Sequence, residues 1–241
     1  EKELREINST KDTLLSVISH DLKTPFFNIM GLGELLLNDY DSYDDATKKE
    51  FITNIVDSSR LSHNLLDNLL SWTRVQSGKI RCSPKLIEVN EIVEDILQFV
   101  HQQALNKHVE FDYQIRGTPM VYADSNMLQT IIRNLVTNAI KYTSRGGKVM
   151  IKAWQVAEEA IIEVSDTGIG IPAERLHKLF TPSKLSSTPG TDNEPGTGFG
   201  LVLTREFVNM NKGSIDAESK EGEGATFRIT LPAEEPQKDE I

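Results

Sequence analysis

Ser19-His20-Asp21-Leu22-Lys23-Thr24-Pro25 lies inside a run whose apolar residues, Leu4, Ile7, Leu14, Val17, Ile18, Leu22, Ile29, Leu32 and Leu36, recur every three or four positions. That period predicts one long amphipathic helix. His20 falls off the apolar stripe, so its imidazole is expected to face solvent and to keep a neutral fraction that could act as a nucleophile. Asp21 is placed to hold that ring in one tautomer and to accept its proton. Pro25 lacks a backbone donor, which leaves the Asp21 carbonyl without its usual helical partner and predicts a bend beside His20. A proline within a helix costs about 3 kcal/mol, so its presence marks a position with a structural or functional use.

The polar stretch Asn38-Asp39-Tyr40-Asp41-Ser42-Tyr43-Asp44-Asp45 breaks the helix and supplies acidic residues suited to the next N-terminus. Phe51, Ile52, Ile55, Val56, Leu65, Leu66, Leu69, Leu70, Trp72 and Val75 then repeat at helical spacing until Ser77-Gly78. Two such helices joined by a short loop form an antiparallel hairpin. A hairpin with a broad apolar face cannot bury it alone, and two copies about a twofold axis make a four-helix bundle, so a homodimer is expected.

Composition bounds the rest. The chain has 241 residues, 38% hydrophobic and 26% charged, an ordinary balance for a globular protein. A net charge of -10 argues against non-specific nucleic-acid binding. The single cysteine, Cys82, cannot form an internal disulfide, which fits a reducing cytoplasm. No apolar run approaches the roughly 18 residues of a membrane span. Glu1-Lys2-Glu3-Leu4 begins without methionine and inside a helical pattern, as expected of a piece of a longer protein whose absent parts would make any membrane attachment.

Pro84 marks a change of style. Strands are predicted near Leu86–Val89, Val109–Ile115, Met120–Ala123, Lys148–Val156, Ala160–Asp166, Ser214–Ser219 and Ala225–Leu231. Helices are predicted over Asn90–Lys107, from the N-cap Asp124 to Tyr142, briefly after Pro172, and over Gly200–Asn211. The alternation reads as a mixed sheet with helices on one face, an α/β sandwich. The expected organisation is a helical domain over 1–81, a second domain over 82–233 and a polar, disordered tail over 234–241.

Four clusters in the second domain carry chemistry. Asn134, Asn138, Lys141 and Tyr142 share one helix face. Amide oxygens are hard, neutral ligands suited to a magnesium ion that keeps its waters and bridges phosphates; Lys141 offsets phosphate charge and Tyr142 can lie against a base. Asp166-Thr167-Gly168-Ile169-Gly170 stands at a strand end, where the carboxylate can accept from the exocyclic amine of adenine and the glycines let backbone approach the ring. Gly196-Thr197-Gly198-Phe199-Gly200 opens a helix whose first N–H groups favour phosphate. Gly222-Glu223-Gly224-Ala225-Thr226 reads as a hairpin turn. Each cluster alone is compatible with a solvated helix face or a tight turn.

Their order and separation are specific. Together with the His20 heptapeptide they resemble the phosphoacceptor box and the N, G1, G2 and G3 boxes of sensor histidine kinases, in a catalytic fold shared with gyrase, Hsp90 and mismatch-repair ATPases. The resemblance runs from about residue 10 to 232, and residues 187–194 also resemble the lid of hybrid sensor kinases of Bacteroides-type bacteria. It implies ATP and Mg²⁺ as cofactors, His20 as acceptor of the γ-phosphoryl group and Asp21 as base. It further implies Asn138 and Asn134 on the metal, Lys141 on phosphate, Tyr142 on adenine, and Asp166, Gly168 and Gly170 around the adenine amine. Gly196, Gly198 and Gly200 would close over the phosphates, and Thr226 would support the base. The phosphohistidine would pass its group to an aspartate of a response-regulator receiver domain, and Asp21 with Thr24 would serve the reverse, dephosphorylating reaction. The parent chain would be anchored in the bacterial inner membrane with this region in the cytoplasm.

Two positions depart from the family pattern. Thr181-Pro182-Ser183-Lys184 follows Phe180 where a basic residue commonly meets the γ-phosphate, leaving Lys184 or Lys178 as substitutes, and Phe199 replaces a leucine. The departure at Thr181 keeps two alternatives open, a phosphatase-biased enzyme and a non-catalytic nucleotide-binding module.

Overall fold

A computed structural model describes residues 22–76, 82–181, 188–192, 194 and 198–235. His20, Asp21, Lys184, Gly196 and the tail over 236–241 lie outside the described residues, as does the Asp21 carbonyl that Pro25 was expected to free. The chain divides into two compact units, one containing the residues up to Ser77 and the other built on Gly78–Thr181, Pro189–Glu194 and Gly200–Ile241.

The first unit is the helical hairpin. Helix α1 spans 22–39, a short 3-10 turn covers Tyr40–Ser42, and α2 runs over Asp45–Gln76. Asp44 starts α2 as the acidic break predicts: its carboxylate accepts from the Thr47 N–H at 2.8 Å, and its bonds to Thr47 hold its pKa below the usual carboxylate value. Tyr43 meets the Phe51 ring edge-on at 5.1 Å, and the Lys48 ammonium lies 4.3 Å from the centre of the Tyr40 ring, which fixes the turn against the first coil of α2.

The second unit is the α/β sandwich. Its elements are β1 (Lys85–Glu88), α3 (Val89–Lys107), β2 (Glu110–Ile115), β3 (Met120–Ala123), α4 (Ser125–Tyr142), β4 (Lys148–Val156), β5 (Glu159–Asp166), α5 (Ala173–Leu176), α6 (Gly200–Met210), β6 (Ser214–Lys220) and β7 (Gly224–Pro232). Five strands form a mixed sheet in the order β2-β4-β5-β7-β6, parallel only between β2 and β4. The single sheet read from the sequence is corrected in one respect, because β1 and β3 form a separate antiparallel pair. Strand periodicity shows that a segment is extended without showing which strand it joins.

Alternation decides what each sheet face does. Val149, Ile151, Ile162, Val164, Ile229 and Leu231 point into the core, which α4 fills with Leu128, Ile131, Ile132, Leu135 and Ile140. Residues of the opposite parity carry ions: the Glu163 carboxylate accepts from the Arg228 guanidinium at 2.9 Å and pairs with Lys152 at 3.6 Å. Helix α4 packs against α3 and α6, and its carboxyl end reaches the edge of the core where the sequence clusters meet.

Candidate functional site

Asp124 fixes the start of α4, its side chain accepting from the N–H groups of Asn126 and Met127 as an N-cap. The helix then presents Asn134, Asn138, Lys141 and Tyr142 in its last turns. Asn134 Nδ2 lies 3.4 Å from the Gly200 carbonyl and 3.5 Å from Thr204 Oγ1, so this amide reaches across to the first turn of α6 through its nitrogen. Its oxygen is then the atom left for a ligand. Lys141 is buried to 8% exposure, with its ammonium 4.8 Å from the centre of the Tyr142 ring.

The turn after β5 is built around Asp166. Its Oδ1 accepts from the Gly168 N–H at 2.8 Å and from the Ala225 N–H at 3.3 Å. Burial nevertheless dominates and pushes the carboxyl above its ordinary value, the two N–H groups only partly offsetting it. Gly168 is required by close approach, since a Cβ there would stand 2.3 Å from the Tyr142 carbonyl oxygen. The next residue completes the junction: the Ile169 N–H donates to that same oxygen at 3.1 Å.

The hairpin between β6 and β7 closes the turn from the other side. The Gly222 N–H donates to the Ile169 carbonyl at 2.8 Å, and Gly224, at φ +88°, comes so close to the Asp166 carbonyl that a Cβ would overlap it. Thr226 pairs in register with Ser165, one residue before Asp166. Three of the sequence clusters thus converge on one place: the end of α4, the Asp166 turn and the Gly222–Thr226 hairpin. The fourth is described only in part, with Gly198 at φ +66° and Gly200 as the first residue of α6.

Thr24 is exposed on α1, and Thr181 donates its hydroxyl to the Lys178 carbonyl at 2.9 Å. The Phe180 ring just before it meets Phe227 of β7 edge-on.

Sequence reasoning missed Lys107, Thr191 and Glu194. The Lys107 ammonium donates to the Lys141 carbonyl and to Glu194 Oε1, each at 2.5 Å. A signal was available: Lys107 continues the buried series Val93, Ile96, Val100 and Ala104 of α3, so a lysine occupies an apolar-stripe position. No group of three or more His, Cys, Asp or Glu able to hold a metal ion occurs among the described residues. No helix among the described residues is long and apolar enough to cross a membrane.

Residues 123–235 match the family of Histidine kinase-, DNA gyrase B-, and HSP90-like ATPases, and residues 10–78 match the His Kinase A (phospho-acceptor) domain. The chain is similar to the Circadian input-output histidine kinase CikA of Thermosynechococcus vestitus, at 31% identity across 92% of this chain and 31% of that protein. It spans about a third of the length of the curated relatives it matches. The fold resembles that of the Acinetobacter baumannii histidine kinase AdeS, with a TM-score of 0.70 at 22% identity over 90% of this chain and 98% of that one. It also resembles histidine kinase ThkA, solved in complex with response regulator protein TrrA, with a TM-score of 0.72 at 19% identity over 97% of this chain and 65% of that one.

Proposed function

Because this chain belongs to the sensor histidine kinases, we propose that it binds ATP at the junction of α4, the Asp166 turn and the Gly222–Thr226 hairpin, and transfers the γ-phosphoryl group to His20. The observation that carries this reading is the state of Asp166, a half-buried carboxylate whose Oδ1 is occupied by two backbone N–H groups. Its second oxygen is the acceptor for the exocyclic amine of adenine. Gly168 and Gly170 let the ring lie against backbone, Tyr142 stacks on it, and Thr226 supports its edge. Lys141 neutralises phosphate, Gly200 offers its backbone N–H at the start of α6, and Gly198 and the sequence neighbour Gly196 complete the phosphate-binding set.

The donor set fits magnesium. Asn138 and the Asn134 oxygen are neutral amide ligands one helical turn apart, suited to an ion that keeps several waters. Asn134 and Asn138 would hold the ion, which when bound would supply charge neutralisation for the phosphates. The chain's own residues do the rest. A ring nitrogen of His20 forms the bond to the γ-phosphorus as the bond to the β–γ bridging oxygen breaks, ADP leaves with that electron pair, and Asp21 takes the imidazole proton. The phosphohistidine then passes its group to an aspartate of a response-regulator receiver domain. Thr24, exposed on α1, favours a second reaction four residues along the sequence from His20, positioning water for receiver dephosphorylation.

The hairpin acts as a homodimer in this reading. In the single chain it exposes Phe26, Phe27, Met30 and Leu37 on α1, and Ile52, Val56, Leu66 and Leu70 on α2. Ile52 and Leu66, and likewise Val56 and Leu70, are separated by two heptads, the spacing of a seam between packed helices.

The test incubates the chain with Mg²⁺ and γ-labelled ATP beside His20→Ala and Asn138→Ala. Acid-labile, base-stable label that disappears in both variants is the expected outcome. Absence of label in a wild-type chain that binds ATP would instead favour the phosphatase-biased or non-catalytic alternative.

A further inference from the structure

Three donors converge on one carbonyl at the carboxyl end of α4. The Lys141 oxygen accepts from Lys107 Nζ at 2.5 Å, from the Thr191 N–H at 3.1 Å and from Thr191 Oγ1 at 3.3 Å. Thr191 Oγ1 also lies 2.8 Å from the Thr143 carbonyl. The loop that brings Thr191 there is closed on itself by the Gly190 N–H on the Glu194 carbonyl and the Asp192 N–H on Glu194 Oε2, both at 2.8 Å. Gly190 is pressed against the Lys141 side chain, for a Cβ there would stand 2.6 Å from Lys141 Cγ.

One buried cation joins these pieces. Lys107, at 5% exposure, reaches the Lys141 carbonyl and the Glu194 carboxylate at once. Helix carbonyls at a carboxyl end carry partial negative charge, so an ammonium there is favoured. Burial alone would raise the Glu194 carboxyl, but the bonds from Lys107 and the backbone outweigh it and hold the acid below its usual value. Lifting the loop would take from Lys107 its carboxylate counter-ion, so the pair favours the closed arrangement.

We propose that Lys107 and Glu194 are a positioning pair, a latch that seats the Gly190–Glu194 loop on the end of α4, fixes the Lys141 and Tyr142 side chains toward nucleotide, and thereby slows nucleotide release. The proposal rests on the ATP site argued above. That reading assigns neither residue of the pair a contact with nucleotide. Both act through Lys141, whose main chain Lys107 holds and whose side chain the loop walls.

Release of a fluorescent ATP analogue in the presence of Mg²⁺, followed by stopped flow, tests this on the 241-residue chain, its Lys107→Met and Glu194→Gln variants and the double variant. Amide exchange at Gly190 and Thr191 is measured on the same proteins. Each single variant should release nucleotide about tenfold faster, with faster exchange at Thr191, and the double variant should be no faster than the worse single one, the signature of a coupled pair. Should Lys107→Met not fold, Glu194→Gln carries the test, because it leaves the Lys107 bond to the Lys141 carbonyl in place. Release within about twofold of wild type, or unchanged Thr191 protection with only a lower melting temperature, would overturn the latch. A wild-type chain that binds no analogue would overturn the ATP reading itself, an outcome visible before any variant is compared.

Discussion

The Ile169 N–H donates to the Tyr142 carbonyl at 3.1 Å, so the last residue of α4 and the turn after β5 are one rigid junction. The neighbouring Lys141 carbonyl is bonded to Thr191. Two consecutive carbonyls at one helix end, with Lys107 also on the first, therefore hold three separate chain segments. Helix ends leave their last carbonyls without intrahelical partners, and here those orphan groups join the parts of a site.

Glycine-to-alanine changes should separate backbone strain from steric conflict. Gly117, at φ +72° with nothing within 4 Å of where a Cβ would stand, should lose about 1 kcal/mol from conformation alone. Gly168 has no strained φ but meets the Tyr142 oxygen, so Gly168→Ala should cost about 2 to 3 kcal/mol. Gly224 combines φ +88° with overlap of the Asp166 carbonyl and should be the most damaging. Urea unfolding of the three variants checks the order, and only Gly168→Ala and Gly224→Ala should also weaken ATP binding.

Asp166→Asn should uncouple stability from binding. The asparagine oxygen can still accept from Gly168 and Ala225, and the cost of burying a charge disappears, so stability at pH 7 should be unchanged within about 0.5 kcal/mol or higher. Adenine recognition should fall at least about tenfold, because an amide NH₂ would face the adenine amine donor to donor. The sign of the pH effect follows from the raised carboxyl. The native state takes up its proton before the unfolded chain does, so this group's contribution to stability is fully present below the unfolded value near 3.8 and is lost as pH rises through the higher folded value. Binding runs the other way, weakening as acidification neutralises Asp166. Titration of binding in wild type and Asp166→Asn checks this, since the variant should lack that step.

Asn211 is a buried polar hub, and replacing it with leucine should cost about 1 to 3 kcal/mol. Its Oδ1 accepts from the Asp124 N–H at 2.7 Å, and its Nδ2 donates to the Phe207 carbonyl at 2.7 Å. The side chain thus ties the end of α6 to the N-cap of α4. Thermal unfolding should show the loss, whereas Asn126, whose side chain lies outside this network, should tolerate alanine far better.

How much of this was legible in the sequence depended on range. The α4 boundaries were readable because Asp124 caps locally and the apolar period ends at Tyr142. The Asp166 turn and the Gly222–Thr226 hairpin were readable as glycine patterns, though their contact through the Asp166 carbonyl was not, since it joins positions far apart in the chain. The separate pairing of β1 with β3 was invisible for the same reason. Lys107 was hidden differently: an end-of-helix lysine is ordinary at a surface, so its place on the apolar stripe of α3 gains meaning only with its partners, 34 and 87 residues away.

Leu66→Glu or Leu70→Glu places a carboxylate on a position that is exposed in the single chain and covered in the proposed dimer. In the monomer the change is close to neutral, because the side chain meets water. In the dimer it desolvates a charge with no partner, so the dimer dissociation constant should rise at least about thirtyfold. Sedimentation equilibrium measures that shift directly, and circular dichroism at high protein concentration should show helix content close to that of wild type. A dimer of unchanged affinity in both variants would mean that these leucines lie outside the seam and that another face of the hairpin carries the association.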